Sequence, residues 1–210
     1  LSLVYDQDRR AVRSAFNELV NVIGSLCKID SEAGIHSYAA EVVTLLDPFA
    51  REPLIRQLDF TLRFRIRNTA LDPTLVAVAK IMMQWYAQNR YAEACIEFAD
   101  NLIHRSEQEN RGEIMHHRRI VVDALTFVVD LDHSKTITIC QLQEQYFKRI
   151  SGSIAALFYW YYAFALSTTG NAEIAKPMLL KCSKLYGDCE GKNSRTGTLA
   201  MVFYHHFGLE

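Results

Sequence analysis

Apolar residues recur along this chain at intervals of three and four, and nowhere does a run of Val, Ile and Thr alternate in the two-residue rhythm of a strand. That spacing predicts an all-α chain. From Asp6 to Leu26, the residues Val12, Phe16, Leu19, Val20 and Ile23 mark one face of a first helix, which ends between Asp30 and Gly34. A second runs from Ile35 to Leu46 and stops at Asp47-Pro48, because the residue before a proline avoids the α region. The third, Glu52 to Arg67, sets Leu54, Ile55, Leu58, Leu62 and Ile66 on one side, and Arg51, Arg56, Arg63, Arg65 and Arg67 mark the other. Asp72 is placed to cap a fourth helix, Thr74 to Gln88, with Pro73 at its first position.

Asn89-Arg90 breaks that helix, and a fifth, Ala92 to Ser106, is expected to return antiparallel to it. A sixth, Glu113 to Val129, turns through Asp130 to Ser134 into a seventh, Lys135 to Ile150. The eighth begins at Ser153 and carries Phe158, Tyr159, Trp160, Tyr161, Tyr162 and Phe164 around its whole circumference, so it needs neighbours on several sides. Thr169-Gly170-Asn171 breaks the chain again, a ninth helix runs to Gly187, and a last one from Ser194 to His206 is placed as a cap. The breaks within successive hairpins fall near Pro48, Asn89, Asp132 and Gly170, a period of about 40 residues that marks a helical-repeat array. Each hairpin in such an array leaves an apolar face for the next to cover.

Two of these hairpins resemble tetratricopeptide repeats. The second helix of that repeat opens on a Gly-Asp/Asn-Tyr-x-Glu-Ala run, in which a small Ala lets two helices approach and a large apolar residue four positions on fills the gap. Asn89-Arg90-Tyr91-Ala92-Glu93-Ala94 with Phe98 is similar to it, as is Gly170-Asn171-Ala172-Glu173-Ile174-Ala175 with Leu179. The hairpin between them puts Ile137 where the small residue would fall, so the repeats are degenerate and similar to those of bacterial signalling and transcription-control proteins. The resemblance implies a right-handed α-solenoid of about four antiparallel hairpins with terminal capping helices, forming a single domain over residues 1–210. It implies that Ala94 and Ala175 sit at the closest approach of their hairpins. It also implies a concave groove lined by the first helix of each hairpin, at Met83 and Tyr86 in one repeat and at Trp160, Phe164 and Ser167 in the other. The alternative for those five is ordinary core, and Tyr159, Tyr162 and Leu166 fall on the face that meets the second helix.

Net charge is −1, so no global field draws in a polyanion, which argues against nucleic acid as an obligatory partner. A local basic face remains open: Arg56 and Arg63 on the third helix, and Arg118 and Arg119 beside His116 and His117. Five cysteines at irregular spacing, Cys27, Cys95, Cys140, Cys182 and Cys189, suit a reducing, cytoplasmic setting. The longest uncharged apolar run, Ile154 to Leu166, falls short of the about 20 residues that cross a bilayer, so no membrane insertion is expected. The absence of an initiating Met and the terminal Leu209-Glu210 suggest a domain excised from a longer protein.

Adjacent His116-His117 and His205-His206 point about 100° apart on a helix and cannot chelate one ion as a pair, so no metal is assigned and exposed or interfacial histidines are expected. No GxSxG, HExxH or Gly-rich phosphate loop occurs, and Asp130 and Asp132 at a turn are accounted for by capping. No catalytic residue or cofactor is therefore named. The expected function is a non-enzymatic interaction or sensory module that binds a protein, peptide or small effector and regulates an attached output domain in bacterial signalling, a diguanylate cyclase or a transcription regulator. Two alternatives stand beside it: a nucleic-acid-binding repeat that uses the arginine faces, and an oligomerising scaffold, such as a homodimer built on an exposed aromatic end-face.

Overall fold

A computed structural model describes residues 52–109 and 114–190. Within them the chain forms seven α-helices and no strand: α1 Glu52–Asn68, α2 Pro73–Gln88, α3 Ala92–Glu109, α4 Ile114–Val128, α5 His133–Gln143, α6 Ser153–Thr168 and α7 Ala172–Glu190. The helices expected at Asp6 to Leu26, Ile35 to Leu46 and Ser194 to His206, and the break at Pro48, lie outside the described residues. So do Arg51, the side chain of Arg56, Cys27, His205 and His206.

Local chemistry sets most boundaries. The Asp72 carboxylate accepts from the Leu75 N–H at 2.8 Å and Pro73 follows it, which satisfies one of the free donors at the start of α2. Asp132 does the same for α5, accepting from the Lys135 N–H at 2.9 Å. Arg90 ends the α2 hairpin turn at φ 60°, and Gly170 ends the α6 turn at φ 81°. After each, the next N–H reaches back across the turn, Tyr91 to the Tyr86 carbonyl and Asn171 to the Leu166 carbonyl. Pro177 sits inside α7 on its exposed side, where the Glu173 carbonyl it leaves unpaired opens to water.

The seventh expected helix, Lys135 to Ile150, is interrupted. Helix α5 ends at Gln143, a single 3-10 turn spans Glu144–Tyr146, and Phe147 then plunges into the core. Phe147 and Phe158 of α6 are both fully buried, with ring centroids 3.9 Å apart and planes 4° from parallel. The turn thus coincides with a buried aromatic pair between this corner and α6.

Each helix packs on its sequence neighbours, α2 also packs on α4, α4 on α6, and α1 on α3. Helices α2 and α6 are apolar almost all round because they are enclosed on several sides. In α6, Ala155, Ala156, Phe158, Tyr159, Tyr162, Ala163, Ala165, Leu166 and Ser167 are all buried. Between α2 and α4 runs the Lys80–Asp123 ion pair at 2.6 Å, and between α4 and α6 the Thr126 and Tyr161 hydroxyls meet at 3.0 Å.

The return helices share one register. Counted from the first residue of α3, α5 and α7, the fourth positions are Cys95, Thr136 and Ala175, and the eighth are Ala99, Cys140 and Leu179, all with no exposure. Cys95, not Ala94, therefore holds the close approach in the first of these hairpins; its thiol lies 3.5 Å from the Met83 carbonyl, and Ala94 is half-buried one position away. In the middle hairpin the small residue is Thr136 rather than missing at Ile137. The first correction has a local cause: Arg90, not Asn89, is the counterpart of Gly170, which moves that motif by one residue.

Candidate ligand groove

An open cavity of about 520 Å³ lies where the C-terminal turns of α2 and α4 meet α6. Its floor is apolar and half-buried: Ala87 from α2, Phe127 and Leu131 around the end of α4, and Phe164 from α6. Its rim is polar, with Gln84 and Gln88 one turn apart on α2, Thr126 and Asp130 near the end of α4, and Arg90 at the hairpin turn. His133, the first residue of α5, completes the wall and sets its ring edge-on against Phe164, centroids 5.7 Å apart. Its Nδ1 is shielded from water and makes no hydrogen bond. The volume falls in the range of about 300–1,000 Å³ common to small-molecule sites.

The five residues that the sequence suggested for a groove divide. Met83, Tyr86 and Ser167 are buried in the core, at 0%, 6% and 5% exposure, and offer no surface to a partner. Phe164 lines the cavity, and Trp160, one turn before it and half-buried, lies 6.1 Å from it ring to ring. Met83 and Tyr86 lie inward because α2 is covered by α3 on the side they occupy: Tyr86 packs its ring against Phe98 of α3, 6.4 Å between centroids. Arg90, Phe127, Asp130 and His133 were not singled out as groove residues by sequence. The hairpin ends could have been the signal, since turns that fall in step place unpaired polar groups side by side.

The arginines are mostly committed to the fold. Arg63 holds both oxygens of Asp59 at 2.7 and 2.8 Å, pairs with Glu97 at 2.8 Å and lies over the Phe98 ring at 5.4 Å. Arg118 donates from Nε to the Tyr146 carbonyl at 2.6 Å and reaches the Met115 sulfur at 3.3 Å. Arg119 is half-buried.

His117 is buried at 1% exposure, in contrast to the exposed or interfacial setting expected for it. It joins three elements: Nδ1 lies 2.8 Å from the Ser106 hydroxyl of α3, and Nε2 lies 2.8 Å from Gln143 Oε1 of α5. The Tyr146 ring meets it edge-on at 4.7 Å and donates its own hydroxyl to Glu107 at 2.8 Å. Burial holds the His117 pKa below its ordinary value, aided by Arg118 and His116 and opposed by Gln143 and Glu107.

A second polar pair joins α6 to α7. Lys181 donates to the Tyr159 hydroxyl at 2.5 Å, and its ammonium sits 3.9 Å from the centroid of the same ring. Burial, with Glu144 adding to it, pushes the Tyr159 hydroxyl up to about 12, and burial lowers the Lys181 ammonium. The thiols of Cys95 and Cys182 are pushed up to about 12 by burial and Cys140 well above its ordinary value, so none is poised as a thiolate nucleophile. Among the described residues no group of three His, Cys, Asp or Glu side chains converges as a metal site, and no helix is long and apolar enough to cross a membrane.

Compared with known proteins, the chain matches no family model, no curated sequence and no solved structure.

Proposed function

We propose that this chain is a non-enzymatic, tetratricopeptide-like helical-repeat module that recognises an effector or partner in the groove across α2, α4 and α6 and passes that binding to an attached output domain of a bacterial signalling protein. The observation that carries the reading is the cavity of about 520 Å³ with its half-buried apolar floor and open polar rim. The common register of α3, α5 and α7, and the contacts that run from each hairpin to the next, support a right-handed solenoid of about four hairpins. In such a stack a ligand that spans several first helices ties consecutive hairpins together, and that is a means of altering the domain's curvature toward its neighbour. A diguanylate cyclase or a transcription regulator is the kind of output that suits such a sensor.

Thermal denaturation of the isolated chain against panels of amino acids, peptides, nucleotides and sugars tests the reading. A ligand present at 100 times its Kd adds about 2.7 kcal/mol to stability and raises the melting temperature. The effect should vanish in Ala87→Trp, which fills the floor, and in Gln88→Trp, which blocks the exposed rim. A ligand that stabilises both variants as it does the parent sits elsewhere, and the groove reading is then lost.

A further inference from the structure

Two opposite charges face the same cavity without a partner among the described residues. Arg90 stands exposed at the α2 turn and Asp130 exposed at the end of α4, and neither side chain takes part in an ion pair or hydrogen bond within the described residues. The half-buried charges nearby are matched, Lys80 with Asp123 and Lys135 with Asp100. Arg90 also holds φ at 60°, a left-handed conformation that disfavours any residue with a Cβ and that its counterpart in the α6 turn meets with Gly170. The turn itself thus gives no reason for a guanidinium there.

We infer that the cavity takes a small zwitterion of the amino-acid and dipeptide class, with its carboxylate on Arg90, its ammonium on Asp130 and its apolar body on Phe127, Leu131 and Phe164. This rests on the groove reading above and names the ligand class for it. An anion would bring its charge to Asp130, and a cation would meet Arg90; a molecule carrying both charges satisfies both rims at once. Arg offers a carboxylate two parallel N–H bonds, and a carboxylate accepts readily from an ammonium. Gln84 and Gln88, one turn apart on α2, add an amide donor and acceptor pair suited to a peptide bond.

The test is calorimetric titration of the whole chain with phenylalanine, phenylalanyl-leucine, the N-acetyl form of that dipeptide and its C-terminal amide, with indole as an uncharged probe. The free dipeptide should bind, and removing either ligand charge should weaken it about tenfold, the size expected for loss of one charge-assisted contact. Acetylation should have no further effect in Asp130→Asn, and amidation none in Arg90→Gly, because ligand and protein would each lack one half of the same contact. Arg90→Gly also relieves the turn, so the folded state is retained for the assay. Equal binding of free and capped dipeptides, additive losses, or binding of indole alone would overturn the zwitterion. Failure of every probe would overturn it too. The groove reading fails separately, if Ala87→Trp and Gln88→Trp leave the binding of each probe unchanged.

Discussion

His117 and Gln143 meet at 2.8 Å through Nε2 and Oε1, and through this bond the start of α4 is held to the end of α5. With the amide oxygen accepting, Nε2 carries a proton, and the Ser106 hydroxyl, which donates to the Ile103 carbonyl at 2.8 Å, lies 2.8 Å from Nδ1. A second proton on the ring must enter a site that burial makes unfavourable.

Because the folded pKa of His117 lies below that of the unfolded chain, the unfolded state binds the extra proton first. Its contribution to stability is present above the ordinary histidine value of about 6.5 and is lost as pH falls below it. Urea unfolding midpoints measured from pH 7.5 to 5 should decline more steeply for the wild type than for His117→Phe. The variant starts lower, since Ser106 and Gln143 lose their partner. Parallel curves for the two proteins would rule out His117 as the source of the slope.

The common register of the return helices makes a sharp contrast between neighbours. Cys95→Leu and Ala175→Leu insert bulk where there is no exposure and should each cost about 1–3 kcal/mol. Ala94→Leu, half-buried, should stay within about 0.5 kcal/mol of the parent. Chemical denaturation of the three variants decides between the Cys95 and Ala94 registers.

Replacing Arg90 by Gly should stabilise the chain by up to about 1 kcal/mol, the left-handed strain removed less the entropy that glycine adds to the unfolded state. The reverse holds at Gly152, where φ is 112° and ψ 170°, a region open only to glycine. Gly152→Ala should cost about 1–3 kcal/mol although no atom lies within 4 Å of the added methyl. A rise in melting temperature for the first and a fall for the second is the expected result.

Truncating Phe147 removes one ring of a fully buried pair. Phe147→Ala should cost about 3–5 kcal/mol. Phe147→Leu, which keeps most of the volume, should cost less than half of that. Equal losses for the two would mean that the turn, and not the packing, holds this corner.

Helix content and most helix limits were legible in the sequence because they are local. Asp72-Pro73, Asp132 and Gly170 act through hydrogen bonds and dihedrals within a few residues, and these do not depend on what packs against them. Leu62 and Ile66, four apart on an amphipathic helix, declared their buried side, and Phe60 and Phe64 on the same helix stay exposed at 67% and 58%. Tertiary structure decided the rest. Helices α2 and α6 are apolar on every side, so periodicity could not say which of Met83, Tyr86, Trp160 and Phe164 would meet a neighbour and which a cavity; the answer depended on where α3, α4 and α5 lay. Phe147 left its helix for a partner eleven residues on, Phe158, a gain that exists only once α5 and α6 are packed. His117 could be read as polar and surface-bound until Ser106 and Gln143, on two other elements, came within hydrogen-bond reach of it. Arg90 and Asp130, forty residues apart, face one cavity only because α2 and α4 pack side by side with their ends in step.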